Sequence, residues 1–294
     1  MTSAIVLHGL TKDYGSGHGL FELDLEVSEG EVFGFLGPNG AGKTTTIRLL
    51  MGVIHATSGT ATVFGLDCDR DSVAVKREVG YLPGELPQFG GMRGSEVVAY
   101  LGAMRGGIDR PRVRELSERL ELDLGRRFRE YSRGNKQKLG LVLAFMHRPR
   151  LLILDEPTSG LDPLNQQTFH HLVGEVKAAG TTVFLSSHVL SEVEETCSRV
   201  GIIREGRLVS DMTMDRVHEL RFHEVIIEFG GDVPEAAIRA AAGVEDVAVE
   251  GQRLTCTVHG GFAALLAAIH GSTVLDMVSR EPSLESIFLS YYSK

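Results

Sequence analysis

Two short segments of this chain carry residues whose types and spacing suit phosphate chemistry. The first is GPNGAGKT at 37–44, set between the apolar run VFGFL and the helical stretch TTIRLL, and it satisfies the pattern G-x-x-x-x-G-K-[ST] in its required context. Gly37, Gly40 and Gly42 permit a turn that points successive backbone N–H groups inward at phosphate oxygens, with Asn39, Ala41 and Thr45 completing the nucleotide-binding positions. Lys43 sets a point charge near the β- and γ-phosphates, and Thr44 offers a hydroxyl to Mg²⁺. The helix that follows adds its positive end. The second segment is LLILDE at 151–156, four apolar residues running into Asp155 and Glu156. A buried strand explains the apolar run but not two carboxylates at its tip, where repulsion and desolvation are costly. Asp155 is placed to hold the Mg²⁺ shell, and Glu156 to orient or deprotonate an attacking water.

A third segment, YSRGN at 131–135, opens a helix with a Ser-x-Gly turn that also looks built to grip a phosphate. Two such devices in one chain point to a site assembled from two chains. GTP is disfavoured: the nearest approach to a guanine-reading N/T-K-x-D element is Asn135-Lys136-Gln137-Lys138, which lacks the Asp.

These residues need an α/β frame, and the hydrophobic pattern supplies one. Strands are expected at 3–9, 21–27, 31–36, 61–64, 78–82, 151–155, 181–186, 200–204 and 207–210. Helices are expected at 42–53, 71–77, 94–105, 110–121, 134–147, 163–178 and 189–197, with Leu139, Val142, Leu143 and Met146 forming the inward face of the fifth. The reading is an α/β core over residues 1–215 with an antiparallel part near its N-terminus and a helical insert at about 90–148. After about residue 215 the texture changes to strand 223–230, helix 234–243, hairpin 244–250 and 253–259, helix 262–271, strand 272–280 and helix 282–293. That βαββαβ order predicts a small ferredoxin-like α+β domain over 216–294.

Composition narrows the partners. A net charge of -9 argues against nucleic acid, which needs clustered Lys and Arg. Cys68, Cys197 and Cys256 are sparse and form no CxxC, which fits a reducing compartment. No apolar run approaches the roughly 20 residues of a membrane span, and MTSAIVLHGL lacks the basic and long apolar segments of a signal peptide. The expectation is a protein soluble by itself, with any membrane role exercised through a partner.

Taken in order, the motifs resemble those of the ATP-binding cassette (ABC) ATPases, over about residues 3–210. GPNGAGKT is similar to the family's Walker A loop, and LLILDE to Walker B with the catalytic Glu. Ser159-Gly160-Leu161-Asp162 is similar to the D-loop, YSRGN to the signature usually written LSGGQ, and His188 follows FLSS where the family has its switch His. The resemblance implies ATP and Mg²⁺ as ligands, Tyr14 stacking on adenine, and a head-to-tail dimer of two copies. In that dimer each ATP lies between one chain's P-loop and the other chain's Ser132 and Gly134, with Asp162 near the same interface.

The chain departs from the pattern at Arg133 and Asn135, where the family has Gly and Gln. At the position of the Gln that contacts Mg²⁺, VGYLPGE (79–85) holds Gly84. Either Glu85 takes over through water, the favoured reading, or Gln88 slides in, or the contact is missing. A YSxGxxQ signature, a GYLPG segment and a C-terminal α+β extension resemble the ATPase subunits of ABC-2-type exporters of the daunorubicin-resistance kind. That implies a separate six-helix membrane permease, docked near residues 83–100 against the apolar stretch LPQFGGM (86–92), and a place at the cytoplasmic face of the cell membrane. The competing reading is a soluble ABC ATPase of repair, assembly or regulation, disfavoured by the single cassette and the lack of a coiled-coil insertion, zinc element or basic patch. A third is a non-hydrolysing nucleotide switch, or a regulatory module with the C-terminal domain as a ligand sensor; the presence of both Glu156 and His188 opposes the switch, while the sensor stands open beside a structural, dimer-bracing role for that domain.

Overall fold

The computed structural model describes residues 2–219 and 222–280. Two compact units divide the chain, Met1–Met212 and Thr213–Lys294. The helix expected at 282–293 lies outside the described residues.

The first unit opens with strands β1 (Ser3–Asp13), β2 (Gly19–Ser28) and β3 (Val32–Leu36), then helix α1 (Lys43–Leu50). Strands β4 (Ser58–Val63) and β5 (Leu66–Asp67), helix α2 (Ser72–Glu78) and strand β6 (Val79–Leu82) follow. The helical insert holds α3 (Gly94–Met104), α4 (Arg110–Arg119), a 3₁₀ turn at Phe128–Glu130 and α5 (Arg133–Phe145). The core closes with β7 (Leu151–Asp155), α6 (Pro163–Ala178), β8 (Thr182–Ser187), α7 (Leu190–Thr196), β9 (Arg199–Arg204) and β10 (Arg207–Thr213).

Two sheets form from these strands. One is antiparallel, in the order β2-β1-β4-β5; the other runs β10-β9-β3-β8-β7-β6. In the second, β9, β3, β8, β7 and β6 are parallel. Strands β3, β7 and β8 are buried along their whole length, which is why they read as unbroken apolar runs rather than alternating ones. Phe33 stacks on Phe184 with ring centroids 5.8 Å apart, fixing two neighbouring strands face to face.

The register decides where the site falls. Leu36 lies opposite Ser187, and Asp155 opposite Ser186, so the phosphate loop, the acidic pair and His188 all leave the same sheet edge at the carboxyl ends of adjacent strands. In the insert, Ser132 caps α5 by accepting the Asn135 N–H at 3.2 Å. The sequence pattern presents α5 as amphipathic; instead every residue from Gln137 to Phe145 is buried, because neighbouring elements cover it on all sides. LPQFGGM is covered in part by the insert. Leu86, Phe89 and Met92 are half-buried, and Phe89 packs edge-on against Phe128 of the insert at 5.2 Å.

The second unit contains α8 (Met214–Glu219), β11 (Phe222–Phe229), α9 (Glu235–Arg239), β12 (Val244–Glu250), β13 (Arg253–His259), α10 (Ala263–Ala268) and β14 (Val274–Arg280). Among its described residues four strands are antiparallel in the order β12-β13-β11-β14, the arrangement a ferredoxin-like βαββαβ unit adopts. Val225, Ile227, Phe229, Leu254, Cys256 and Val258 line one face and pack against Ile238 and Leu265 of the helices. Helix α9 is shorter than expected, since the chain must turn through Gly243 (φ 77°) to bring Val244 opposite Val258.

Candidate nucleotide site

The phosphate loop is held by close backbone approaches. A Cβ on Gly37 would lie 2.3 Å from the Ile203 carbonyl oxygen, so a strand neighbour excludes any side chain there. Gly40 and Gly42 have φ of 81° and 114°, a region that glycine enters freely. A Cβ on Gly40 would meet nothing within 4 Å, so the loop is open on that side. The Lys43 ammonium is buried, 5% exposed, and donates to the carbonyls of Gly37 at 2.6 Å and Pro38 at 3.2 Å.

Across from it stand the strand-end carboxylates. Asp155 is 1% exposed and accepts from Thr44 Oγ1 at 2.9 Å and from Ser186 Oγ at 2.6 Å, one bond to each oxygen. Burial, reinforced by the Asp155 charge, pushes the nearby Tyr81 phenol up to about 12, which keeps it protonated. Glu156 sits at φ 51°, unusual for a residue with a side chain. Its N–H donates to the Ser186 carbonyl at 3.2 Å and lies 3.1 Å from Ser186 Oγ. Its Oε2 is 2.7 Å from His188 Nδ1 and its Oε1 is 3.3 Å from Lys43 Nζ. Lys43, Glu156 and His188 thus form one chain of polar contacts across three strand ends.

That chain fits a polyphosphate. Glu156 Oε1 is buried with no hydrogen-bond partner, and Lys43 is a buried cation whose anionic neighbour is that same carboxylate. The Thr44 and Asp155 oxygens are hard donors of the kind Mg²⁺ accepts. Among the described residues no group of three or more His, Cys, Asp or Glu side chains forms a metal cage, so other ligands of a Mg²⁺ here would be water and phosphate.

The structure brings Lys43, Thr44, Asp155, Glu156 and His188 together. Ser132 and Gly134 lie elsewhere, at the start of α5: Ser132 is exposed, and Gly134 and Arg133 meet the D-loop. A Cβ on Gly134 would lie 2.7 Å from the Gly160 carbonyl oxygen, and Arg133 Nη2 donates to Ser159 Oγ at 2.7 Å. Asp162 caps α6, and the amide and side chain of Asn165 hold its carboxyl below the usual carboxylate range. Tyr14 stands 56% exposed in the turn after β1. Gly84 faces Asp155: a Cβ there would lie 3.2 Å from Asp155 Oδ2, whereas Glu85 and Gln88 are exposed.

Three contributors escaped sequence reasoning. Ser186 bonds both members of the acidic pair. Glu192 joins Thr158 and Ser187 through its two oxygens at 2.6 Å each, and so ties the acidic strand's exit to that of β8. Gln137 reaches the Glu156 backbone. The available signal was a polar residue inside an apolar or helical stretch, which spacing alone does not connect to a partner 19 to 34 residues away.

A parallel sheet whose adjacent strand ends carry a phosphate loop, an acidic pair and a histidine defines a P-loop ATPase cassette. Comparison with known proteins makes this specific. The ABC transporter family profile matches residues 20–159. The chain is 36% identical over 223 residues to the bacitracin transport ATP-binding protein BcrA of Enterococcus faecalis, covering 74% of this chain and 72% of that protein. It is 34% identical over 305 residues to the daunorubicin resistance ATP-binding protein DrrA2 of Streptomyces coeruleorubidus, covering 97% and 94% respectively. Among solved structures, an ATP binding subunit of an ABC transporter superposes with a TM-score of 0.66 at 28% identity, over 73% of this chain and 92% of that one. The dimeric bacterial ABC transporter cassette MJ0796 shares the fold, with a TM-score of 0.65 at 20% identity over 71% and 98% of the two chains. The chain belongs to the ABC transporter ATP-binding proteins. It is an ATP-hydrolysing, nucleotide-binding subunit of the kind that works as a dimeric cassette with a membrane permease. The relatives named for transport or drug resistance lend no support to a soluble repair or assembly factor. Among the described residues no helix is long and apolar enough to cross a membrane.

Proposed function

We propose that this chain powers an ABC-2-type exporter of small molecules such as drugs or lipids, docked at the cytoplasmic face of the cell membrane on a six-helix permease. The observation that carries the reading is the Lys43–Glu156–His188 chain at three adjacent strand ends. ATP enters with its adenine on Tyr14 and its phosphates in the loop from Gly37 to Thr45, where backbone N–H groups of the glycine-rich turn and the positive end of α1 receive them. Lys43 then exchanges Glu156 for the β- and γ-phosphates, which frees that carboxylate to orient or deprotonate water while His188 steadies it. Thr44 and Asp155 would hold Mg²⁺, which when bound neutralises charge developing on the transferred phosphoryl group. Ser132 and Gly134 of a second copy close over the γ-phosphate, with Asp162 near the same seam.

Gly84 leaves room beside Asp155 for solvent, and Glu85 acts there through water. Residues 1–215 form the ATPase domain, and 216–294 an accessory domain that braces the dimer. The bacitracin and daunorubicin names of the relatives support an export role of this class. Affinity purification from membranes tests the proposal. A six-helix permease should co-purify, and ATP-driven efflux in vesicles should disappear with Glu156→Gln. Capture of no membrane protein, or efflux untouched by that substitution, overturns it.

A further inference from the structure

Glu156 holds a backbone conformation that its own Cβ disfavours, at φ 51°. Something around it must fix that geometry. Ser186 takes its N–H, as described above. Its carbonyl is taken by an element from another part of the fold. Gln137 Nε2 donates to the Glu156 carbonyl at 3.0 Å and to the Pro157 carbonyl at 2.9 Å. A side-chain NH₂ has two hydrogens, and two successive carbonyls accept one each. Because both neighbours are acceptors, the amide nitrogen and not its oxygen must face them. Gln137 is only 8% exposed, so these bonds are made away from competing water.

Gln137 belongs to α5, whose first turn carries Ser132 and Gly134. Four residues of α5 touch the segment beyond β7. Arg133 bonds Ser159, Gly134 abuts Gly160, Gln137 holds Glu156 and Pro157, and Lys138 lies 4.0 Å from Asp162. Residues three and four apart share a helix face, so a shift of the helix start moves Gln137 with it.

We propose that Gln137 is a positioning residue for Glu156, and that it links the turn that closes on a partner's ATP to the hydrolytic carboxylate of its own chain. The inference rests on the reading of Glu156 as that carboxylate. Closure of one nucleotide site would then aim the water-activating group of the other, so the two sites fire in concert through a rigid helix. The carboxylate itself makes no contact with Gln137; the hold is on its backbone alone.

The test uses the full-length chain with Gln137→Met, which keeps length and shape but cannot donate, and Gln137→Asn, whose amide stops one methylene short. The asparagine variant serves where the methionine variant gives no folded protein. Turnover should fall ~10–100-fold, the loss expected of a reacting group displaced by about 1 Å. ATP affinity should stay within about twofold, since ground-state binding does not use this residue. The ATP-bound dimer should accumulate, because slow hydrolysis prolongs it. A purely structural role would instead loosen α5 and weaken that dimer. Turnover within about twofold of the parent, or turnover and dimer lost together, overturns the proposal. If Glu156→Gln itself leaves turnover near normal, the reading of Glu156 has failed; if it abolishes turnover while Gln137→Met does not, only the link has failed.

Discussion

The phosphate loop and the signature turn are both helix starts preceded by small residues, yet they are finished differently. The loop before α1 finds its partners within the chain: Lys43 meets Glu156, and Thr44 meets Asp155. The turn before α5 spends its contacts on the D-loop, and the exposed Ser132 hydroxyl has one bond among the described residues, the cap it accepts from the Asn135 amide. One region is therefore a site in itself. The other, on the proposed reading, is a surface held in shape by its own chain for use by a second one. The difference explains how a single sequence can carry two phosphate grips without redundancy.

Substitutions can break this contrast, and the largest effect belongs to the hydrolytic group. Glu156→Gln removes the carboxylate proposed to activate water and should lower turnover at least ~100-fold, the usual contribution of a general base. Nucleotide binding and the ATP-bound dimer should survive, as read by equilibrium binding and light scattering; near-normal turnover would remove Glu156 from its role. Lys43→Ala comes next. Loss of charge-assisted bonds to phosphate is worth about 2 kcal/mol, so ATP affinity should fall ~30-fold by isothermal titration. Unchanged affinity would mean that the loop, rather than its lysine, holds the nucleotide.

Gly134→Ala probes the other region. Its methyl would stand 2.7 Å from the Gly160 oxygen and must push the turn off the D-loop. The cost in stability should be about 1–3 kcal/mol, seen in the denaturant midpoint. Dimerisation on ATP should weaken while monomer affinity for ATP holds, and a dimer as tight as the parent's would show that the packing is dispensable. The smallest effect concerns acid. Burial, with help from the Arg105 charge, lowers His147 from 6.5 to about 4. The unfolded chain takes up this proton near 6.5 and the folded one resists until about 4. Stability from this group is therefore complete above the upper value and declines as pH falls toward the lower one. Both His147 and Arg105 bond the Val79 carbonyl, so the insert's grip on β6 should loosen in acid, and His147→Asn should flatten that part of the stability–pH curve.

Much of the cassette was legible because its chemistry is local in sequence. Eight consecutive residues state the phosphate loop, and six state the acidic strand. The helix α6 and strand β7 fall where their patterns put them, at Pro163–Ala178 and Leu151–Asp155. What stayed hidden depends on partners far apart in the chain. The bonds of Gln137 to Glu156, of Ser186 to Asp155 and of Glu192 to Thr158 each join elements that only the sheet order brings together. Short elements were hidden too. Strand β5 has two residues and the 3₁₀ turn three, too few to show a period. The all-round burial of α5 escaped because periodicity reports one covered face and is silent about the others.

The buried Lys43 ammonium carries a consequence for the cassette as a folded object. Without nucleotide its countercharge is the Glu156 carboxylate, 3.3 Å away. A charge left in such a place without its partner is strongly destabilising. Glu156→Gln should then melt at a lower temperature than the parent when empty. The same variant should gain more from added ATP, because the phosphates restore the missing anion and bind only the native state. In a thermal-shift titration the nucleotide would act less as fuel than as a replaceable piece of the protein's own interior.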